Sequence, residues 1–241
     1  MKKILLPIFL LVFLSACSGI AKKTSKLNGK VKTVKETEYK AIEENGEIIK
    51  GEVNYRATPT TSVYSKKGNL TEKSQHNSDG SLNKKWIGNF NEKGNRIGRS
   101  LYNSDGSLEE KSVFKYDEKE NLIETSQYNP DGSLNQKQVN KYDKKGNLIE
   151  ARKYDSDGVF GSEWIFRYDK KGNRIEESLY NSDGSLKYKW AFKYDKNGNV
   201  IEENSHTTYK YEFDKKNNWI KKITYKNSIP QKITVREIEY Y

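Results

Sequence analysis

The chain is poor in cysteine, histidine and proline. Its 241 residues include one cysteine, two histidines and four prolines. A single cysteine cannot form a disulfide within the chain, so no disulfide framework stabilises this protein. His76 and His206 are too few for a zinc cluster, or for a nucleophile–base pair with its supporting groups. The sequence therefore predicts no enzyme, no catalytic residues, no cofactor and no metal site.

Apolar residues are also scarce. Hydrophobic residues make up 33% of the chain, and the mean hydropathy is −1.00. This composition is close to that of disordered chains, but 17 tyrosines and a strict internal repeat argue for folded structure without one thick core. The net charge of +11 is more typical of solubility, or of attraction to anionic envelope polymers, than of nucleic-acid binding in an exported protein.

The one long apolar run lies at the amino terminus. Residues 4–14 follow two lysines and are too few to cross a bilayer, which is typical of a secretory signal. The next residues, Leu14-Ser15-Ala16-Cys17, resemble the bacterial lipobox. This resemblance implies removal of a signal peptide (1–16), lipidation of Cys17, and stable membrane attachment through a tether at 17–26. Ser18, where an aspartate would retain the protein at the inner membrane, favours the outer membrane of a Gram-negative cell envelope.

Glycines mark a period of 26 residues. The phrase YNSDGSL occurs at 102–108 and 180–186, and its variants place a first glycine series at Gly80, Gly106, Gly132, Gly158 and Gly184. A second series of the same period lies between them, at Gly68, Gly94, Gly146, Gly172 and Gly198, with Glu120 in the missing position. Such regular spacing indicates a repeat architecture.

Each glycine ends a four-residue segment that begins with Asn or Asp, or with Ser in the first copy at Gly68. This pattern predicts a type I turn whose fourth residue is left-handed. Glu120 and Asn217 occupy the same position without glycine, so both are predicted to have positive φ, at a cost of about 1 kcal/mol for Glu120. The spacing of the oxygen-bearing side chains does not fit an EF-hand calcium loop.

The segments between turns have the length and alternation of strands. In 186–194 the residues Leu186, Tyr188, Trp190, Phe192 and Tyr194 alternate with lysines and an alanine. The predicted fold is all-β: an elongated antiparallel up-and-down meander of two-stranded 26-residue repeats, forming an open single-layer twisted sheet with a terminal β cap. The predicted parts are an N-terminal β-hairpin cap (27–62), the repeat array (63–218) and a C-terminal β cap (219–241).

A second motif carries a family resemblance. The segments YDKKGNLI (142–149), YDKKGNRI (168–175) and YDKNGNVI (194–201) resemble the YD, or RHS-type, repeat of bacterial surface proteins and secreted toxins. The resemblance covers about residues 64–225, and the period here is longer than the usual one. It implies a β-repeat surface protein of a class linked to carbohydrate contact, cell adhesion and contact-dependent toxins.

Aromatic residues give the best binding signal. Trp86, Trp164 and Trp190 occupy one repeat position, and successive copies should lie two strands apart, roughly 9–10 Å. With Tyr188 and Phe192 they are the candidate ligand-binding residues for sugar rings, although cross-strand packing is the simpler interpretation and the favoured one.

The predicted function is that of a membrane-anchored cell-envelope lipoprotein with a non-enzymatic structural or interaction role. Its partners would be the membrane, through the lipid anchor, and an envelope glycan or protein. Two alternatives stay open: a glycan-binding surface lipoprotein that uses the aromatic face, and an immunity or antitoxin lipoprotein.

Overall fold

The computed structural model describes residues 27–54 and 57–241. The predicted signal peptide (1–16), the tether (17–26) and Cys17 lie outside these residues. The described chain contains seventeen strands: β1 (Val31–Glu44), β2 (Glu47–Val53), β3 (Thr60–Tyr64), β4 (Leu70–His76), β5 (Leu82–Phe90), β6 (Arg96–Asn103), β7 (Leu108–Tyr116), β8 (Leu122–Tyr128), β9 (Leu134–Tyr142), β10 (Leu148–Asp155), β11 (Phe160–Tyr168), β12 (Arg174–Asn181), β13 (Leu186–Tyr194), β14 (Val200–Glu203), β15 (Thr207–Phe213), β16 (Trp219–Lys226) and β17 (Ile229–Tyr240). The all-β prediction is confirmed.

The strands form a closed barrel, so the prediction of an open single-layer sheet with a terminal cap is wrong. Strands β3 to β17 pair antiparallel in chain order, and β1 then joins the two ends of this meander. One edge of β1 pairs with β17, where Val34 lies opposite Ile238, and its other edge pairs with β3, where Val34 lies opposite Ser62. The wall therefore has sixteen antiparallel strands. The predicted C-terminal cap supplies two of them, β16 and β17, rather than closing an end.

Strand β2 is the one strand of the described chain that pairs with a single neighbour and so does not belong to the closed wall. It pairs with the distal part of β1, from Tyr39 opposite Val53 to Glu44 opposite Glu47. The hairpin turns at Asn45 and Gly46, which both have positive φ, as a two-residue type I′ turn requires. The β1–β2 hairpin thus extends beyond the barrel at one end.

The two turn series form the two rims of the barrel. The turns that end in the second glycine series form one rim, called here the GN rim, and those of the first series form the DG rim. The left-handed conformation predicted at each turn is confirmed, including φ of 64° at Glu120 and 62° at Asn217. Asn28 at the start of the described chain hydrogen-bonds Asn218, and Tyr241 donates its backbone N–H to Lys30. Both ends of the described barrel therefore lie at the GN rim.

Each turn series has its own hydrogen-bond network, which explains its residue choice. In the DG series, Ser107 donates its N–H and its hydroxyl to Asp105, at 2.9 and 2.6 Å. These bonds hold the pKa of Asp105 below its usual value. In the GN series, Asp143 accepts the backbone N–H of Asn147 at 2.9 Å and its side-chain N–H at 2.8 Å. The motif residues are turn-forming residues, as the sequence indicated.

The motif tyrosine has a separate role in the wall. A β-bulge interrupts the ladder just after each turn, as between Leu148 and Glu150, and bulges raise the local twist of a sheet. The Tyr168 hydroxyl, at the end of β11, donates to the Leu148 carbonyl at 2.8 Å, at the bulged start of the neighbouring strand β10. The same bond recurs around the wall from Tyr116, Tyr142 and Tyr194. Tyrosine thus stabilises successive hairpins against one another.

The outer face of the barrel carries charge. Cross-strand ion pairs recur every 26 residues, between Lys115 and Glu124, Lys141 and Glu150, Arg167 and Glu176, and Lys193 and Glu202. The basic side chains of Arg167 and Lys193 are each 68% exposed. These four pairs, called here the outer collar, face solvent and leave no continuous apolar band along this part of the wall.

The inner face carries most of the apolar and aromatic side chains. Ala151 is 1% exposed, and it packs with Leu148 and Phe166 in the main apolar cluster. A sixteen-strand barrel of round cross-section measures about 30 Å between opposite backbones, since strands lie about 4.8 Å apart and tilt. Side chains from one wall cannot fill such a width, so the inner face borders a lumen.

Candidate functional site

The structure brings three of the five predicted aromatic residues together. Trp164 on β11 and Trp190 on β13 stack with ring centroids 5.6 Å apart, and Tyr188 lies 5.3 Å from Trp190. These three residues are called here the aromatic strip, and they lie on the inner face. The Trp–Trp separation is shorter than the predicted 9–10 Å, because the indoles lean toward each other. The other two predicted residues lie outside this cluster. Phe192 is the next inner-face residue along β13, opposite Glu203, and Trp86 is on β5, in a distant part of the wall.

A recess of about 450 Å³ adjoins the aromatic strip at Trp164; it is called here the aromatic recess. Its apolar side is formed by Trp164, Phe166 and Leu179. Its polar side carries Gln136, Gln138 and Asn181, whose amides can both donate and accept hydrogen bonds. A concave site that combines apolar rings with a few polar side chains is the usual form of a small-ligand site.

The aromatic strip is only partly covered. Tyr188 is 36% exposed, and Trp164 and Trp190 are half-buried. Cross-strand packing therefore accounts for one part of the aromatic surface and leaves another part in contact with the lumen. The ring faces and edges that remain accessible are suitable for stacking with a planar or cyclic ligand.

A second recess, of about 720 Å³, lies on the inner face in another part of the barrel wall. It is called here the basic recess. It extends across β16, β17, β1 and β3 to β6, with Trp86 among its lining residues. Six basic side chains line it: Lys73, Arg96, Arg99, Lys222, Lys232 and Arg236. Three carboxylates also line it, Glu36, Glu38 and Glu72. The lining thus has a formal charge of 6 − 3 = +3.

Burial affects the basic groups of this recess. Burial lowers the pKa of Lys73, Lys222 and Arg96, because a charged group loses hydration when it leaves water. Burial also raises the pKa of Tyr64, which lies between Arg236 and Arg96. The cations are therefore held in surroundings where an added negative charge would interact strongly.

The sequence contains a signal for the basic recess at a single position of the repeat. One inner-face position, read through successive repeats, holds Lys73, Arg99, Thr125, Ala151, Glu177 and Glu203. This series changes from basic to acidic around the wall, and burial raises the pKa of Glu177 at its acidic end. The basic recess lies at one end of the series, where β16 and β17 add further cations. The series became meaningful only once closure of the barrel placed β17 near β4.

Metal-ligating residues do not gather in the described part of the chain. Residues 27–54 and 57–241 contain no group of three or more His, Cys, Asp or Glu side chains arranged to hold a metal ion. In the same residues no helix is long and apolar enough to cross a membrane.

Comparisons with known proteins support the fold. No protein-family model matches the chain, and no curated protein sequence does. Among solved structures, the chain is similar to a porin-like protein from Bacteroides uniformis, with a TM-score of 0.54 and 11% identity, over 88% of this chain and 98% of that one. At this identity the likeness shows the β-barrel fold alone, which is compatible with a location in the cell envelope.

Two toxin structures match less well. The Photorhabdus luminescens Tc holotoxin pore has a TM-score of 0.23 at 13% identity, over 83% of this chain and 14% of that one. The TcdB2–TccC3 complex without its hypervariable C-terminal region has a TM-score of 0.23 at 11% identity, over 78% and 14%.

Proposed function

We propose that this protein is a lipid-anchored glycan-binding protein of the bacterial cell envelope, and that it holds a sugar ring against the aromatic strip inside its barrel. The observation that carries the proposal is the continuity of Trp190 and Trp164 with an amide-lined recess. The apolar face of a pyranose packs on an aromatic ring, while its hydroxyls exchange hydrogen bonds with amides such as Gln138 and Asn181. The sequence alone favoured packing as the role of these aromatics, and the partly exposed strip supports binding instead.

The charged outer face indicates that the barrel stands beside the membrane rather than through it. Membrane-spanning barrels present an apolar band about 25 Å tall to lipid. At mid-strand on the outer face, Arg152 pairs with Glu163 and Lys189 with Glu176, and each of these cations would cost about 2–4 kcal/mol near the midplane of such a band. Two such costs are comparable to the lower end of the stability of a typical domain. Attachment through lipidated Cys17 needs no such insertion and agrees with the charged wall.

Anchoring would fix the orientation of the barrel. The described chain begins at the GN rim, and Leu27 lies ten positions after Cys17 in the sequence. Even fully extended, such a tether spans only about 35 Å. The GN rim would therefore face the membrane, and the DG rim with the β1–β2 hairpin would face away from it.

A glycan array followed by calorimetry tests the binding proposal. The full mature chain, purified in detergent, is expected to bind one class of neutral oligosaccharide. Trp164→Ala and Trp190→Ala should each weaken this binding by about two- to tenfold, given that aromatic stacking contributes about 0.5–1.5 kcal/mol. Trp86→Ala is the matched control, because Trp86 occupies the same repeat position in the other recess. Equal loss in all three variants, or no array signal, would show that the proposal is wrong.

Metabolic labelling with a fatty-acid probe tests the anchor separately. The parent chain should incorporate the probe and sediment with membranes, whereas Cys17→Ala should do neither. Labelling of the Cys17→Ala variant would rule out this anchor and leave the glycan proposal untouched.

A further inference from the structure

We propose that the basic recess is a binding site for a multiply charged oxyanion of the phosphate type. This site is separate from the aromatic recess and does not depend on the glycan proposal. Three features of the recess support this assignment: cations without carboxylate partners, buried donors without acceptors, and the curvature of the wall that brings both together.

Half of the six cations are ion-paired within the recess or beside it. Lys232 pairs with Glu38 at 2.6 Å, Arg236 with Glu36 at 2.9 Å, and Arg99 with Glu110 at 3.2 Å. The third lining carboxylate, Glu72, pairs with Lys85 on the outer face at 2.9 Å. The carboxylates closest to the recess are therefore already engaged.

Lys73, Lys222 and Arg96 have no ion-pair partner among residues 27–54 and 57–241. Lys222 lies over the rings of Tyr209 and Trp219, at 5.7 and 5.3 Å from the centroids. Arg96 lies over the Phe90 ring, and its one hydrogen bond within the described residues is a long 3.5 Å contact with the Leu70 carbonyl. Half-buried cations that lack a counter-charge lower the stability of a fold, and their retention commonly reflects function.

Buried N–H donors point to the same place. Trp86 Nε1, Arg96 Nε and Arg99 Nε are buried and have no acceptor in the part of the chain that the structure describes. All three residues line the basic recess, and Arg99 as a whole residue is only 8% exposed. A buried donor without an acceptor costs about 1–3 kcal/mol. Three such donors beside unpaired cations match the needs of an oxyanion, which carries charge and several acceptor oxygens.

The barrel closure creates this arrangement. Lys73 lies opposite Ser62 on β3, and Ser62 lies opposite Val34 on β1. On the other edge of β1, Glu36 lies opposite Arg236, and Lys222 lies opposite Thr234 one strand further. Cations from residues some 150 apart in the chain thus curve around one recess, and hydroxyls of Thr60, Ser62 and Thr234 lie between them.

Thermal unfolding with defined probes tests the proposal on the full mature chain in detergent. Inorganic phosphate at ten times its dissociation constant should raise the melting temperature by about 3–6 °C, relative to sodium chloride of equal ionic strength. Glucose 1-phosphate serves as a second probe and glucose as the uncharged control. Tighter binding of the phosphorylated sugar than of phosphate would identify the oxyanion as part of a larger molecule, while equal binding would identify the free ion as sufficient.

Lys73→Met and Lys222→Met separate binding from structural support. Each should weaken phosphate binding at least about tenfold, as expected for a charged hydrogen bond, while the melting temperature in plain buffer stays the same or rises. Lys193→Met, on the outer collar, should leave the phosphate effect unchanged. The proposal is overturned if phosphate stabilises no more than sodium chloride, or if both recess variants keep the full phosphate effect. If one variant does not fold, the other decides.

Discussion

Removal of one hydroxyl group from the inner wall should destabilise the barrel measurably. In Tyr168→Phe the ring stays and only the donor to the Leu148 carbonyl is lost. Leu148 is almost fully buried, and its carbonyl lies where the β-bulge interrupts the ladder. Water cannot easily replace the lost donor at such a position, so the carbonyl would be left without a hydrogen bond.

The expected magnitude follows from that geometry. A typical hydrogen bond contributes about 0.5–1.5 kcal/mol net, and an acceptor left buried without a donor costs about 1–3 kcal/mol. We therefore expect Tyr168→Phe to lower the free energy of unfolding by about 1–3 kcal/mol. For a chain of this size, each kilocalorie shifts the melting temperature by about 2–4 °C, which predicts a fall of roughly 3–10 °C.

Urea unfolding followed by circular dichroism would measure this effect, with the slope m unchanged. Tyr154→Phe is the control, since the Tyr154 ring packs edge-on against Phe160 and its hydroxyl donates no bond within the described chain. The barrel also contains a natural comparison at Phe90, where Arg96 replaces the missing hydroxyl at the Leu70 carbonyl. If Tyr168→Phe and Tyr154→Phe cost the same, the recurring tyrosine bond does not stabilise the wall as argued.

Three other properties can be predicted. Glu120→Gly should raise the free energy of unfolding by about 1 kcal/mol in urea, because φ at Glu120 is 64°; destabilisation would refute the strain. Burial raises the pKa of Tyr211 to about 12, above the unfolded value near 10, so its contribution to stability is present below pH 10 and is lost as the pH rises toward 12. The tyrosinate absorbance titration should lose a step near pH 12 in Tyr211→Phe, and an unchanged titration would contradict this. Lys193→Met should change stability by less than about 1 kcal/mol, since its ion pair is exposed, and a larger fall in the urea midpoint would count against that.

The local half of the fold could be predicted because the repeat specifies it residue by residue. The turn at Gly184, the strand that follows it, and the positive φ at Glu120 and Asn217 all follow from residue types at fixed offsets. Closure could not be predicted in this way. It depends on β1, which has no counterpart in the repeat, offering one edge to β3 and the other to β17. A bulge beside each turn of the two rims' repeat series adds twist, and open twisted sheets rarely exceed about ten strands without curling.

The candidate sites likewise include one part that the repeat predicts and one part that depends on closure of the barrel. The pairing of Trp164 with Trp190 could be predicted because the two residues share a repeat position in adjacent units. The basic recess could not, because Lys73 on β4 and Lys222 on β16 come to lie two strands from β1, one on each side, only when the ring closes. Unpaired donors such as Arg99 Nε are a property of the packed wall and leave no trace in a residue pattern.

The repeat unit is one whole hairpin, and this restricts how such a barrel can change in size. Duplication of a 26-residue unit would add two strands to sixteen, so the circumference would grow by 2/16, one-eighth, while β1 and β17 would still meet antiparallel. Insertion of a single strand would reverse the direction of the last strand, which would then run parallel to β1 and could not form the antiparallel pair that closes the barrel. Closure of the barrel therefore requires an even number of strands. Gain or loss of whole repeats would change the diameter of the barrel, while both rims and the meeting point of the chain ends stay the same.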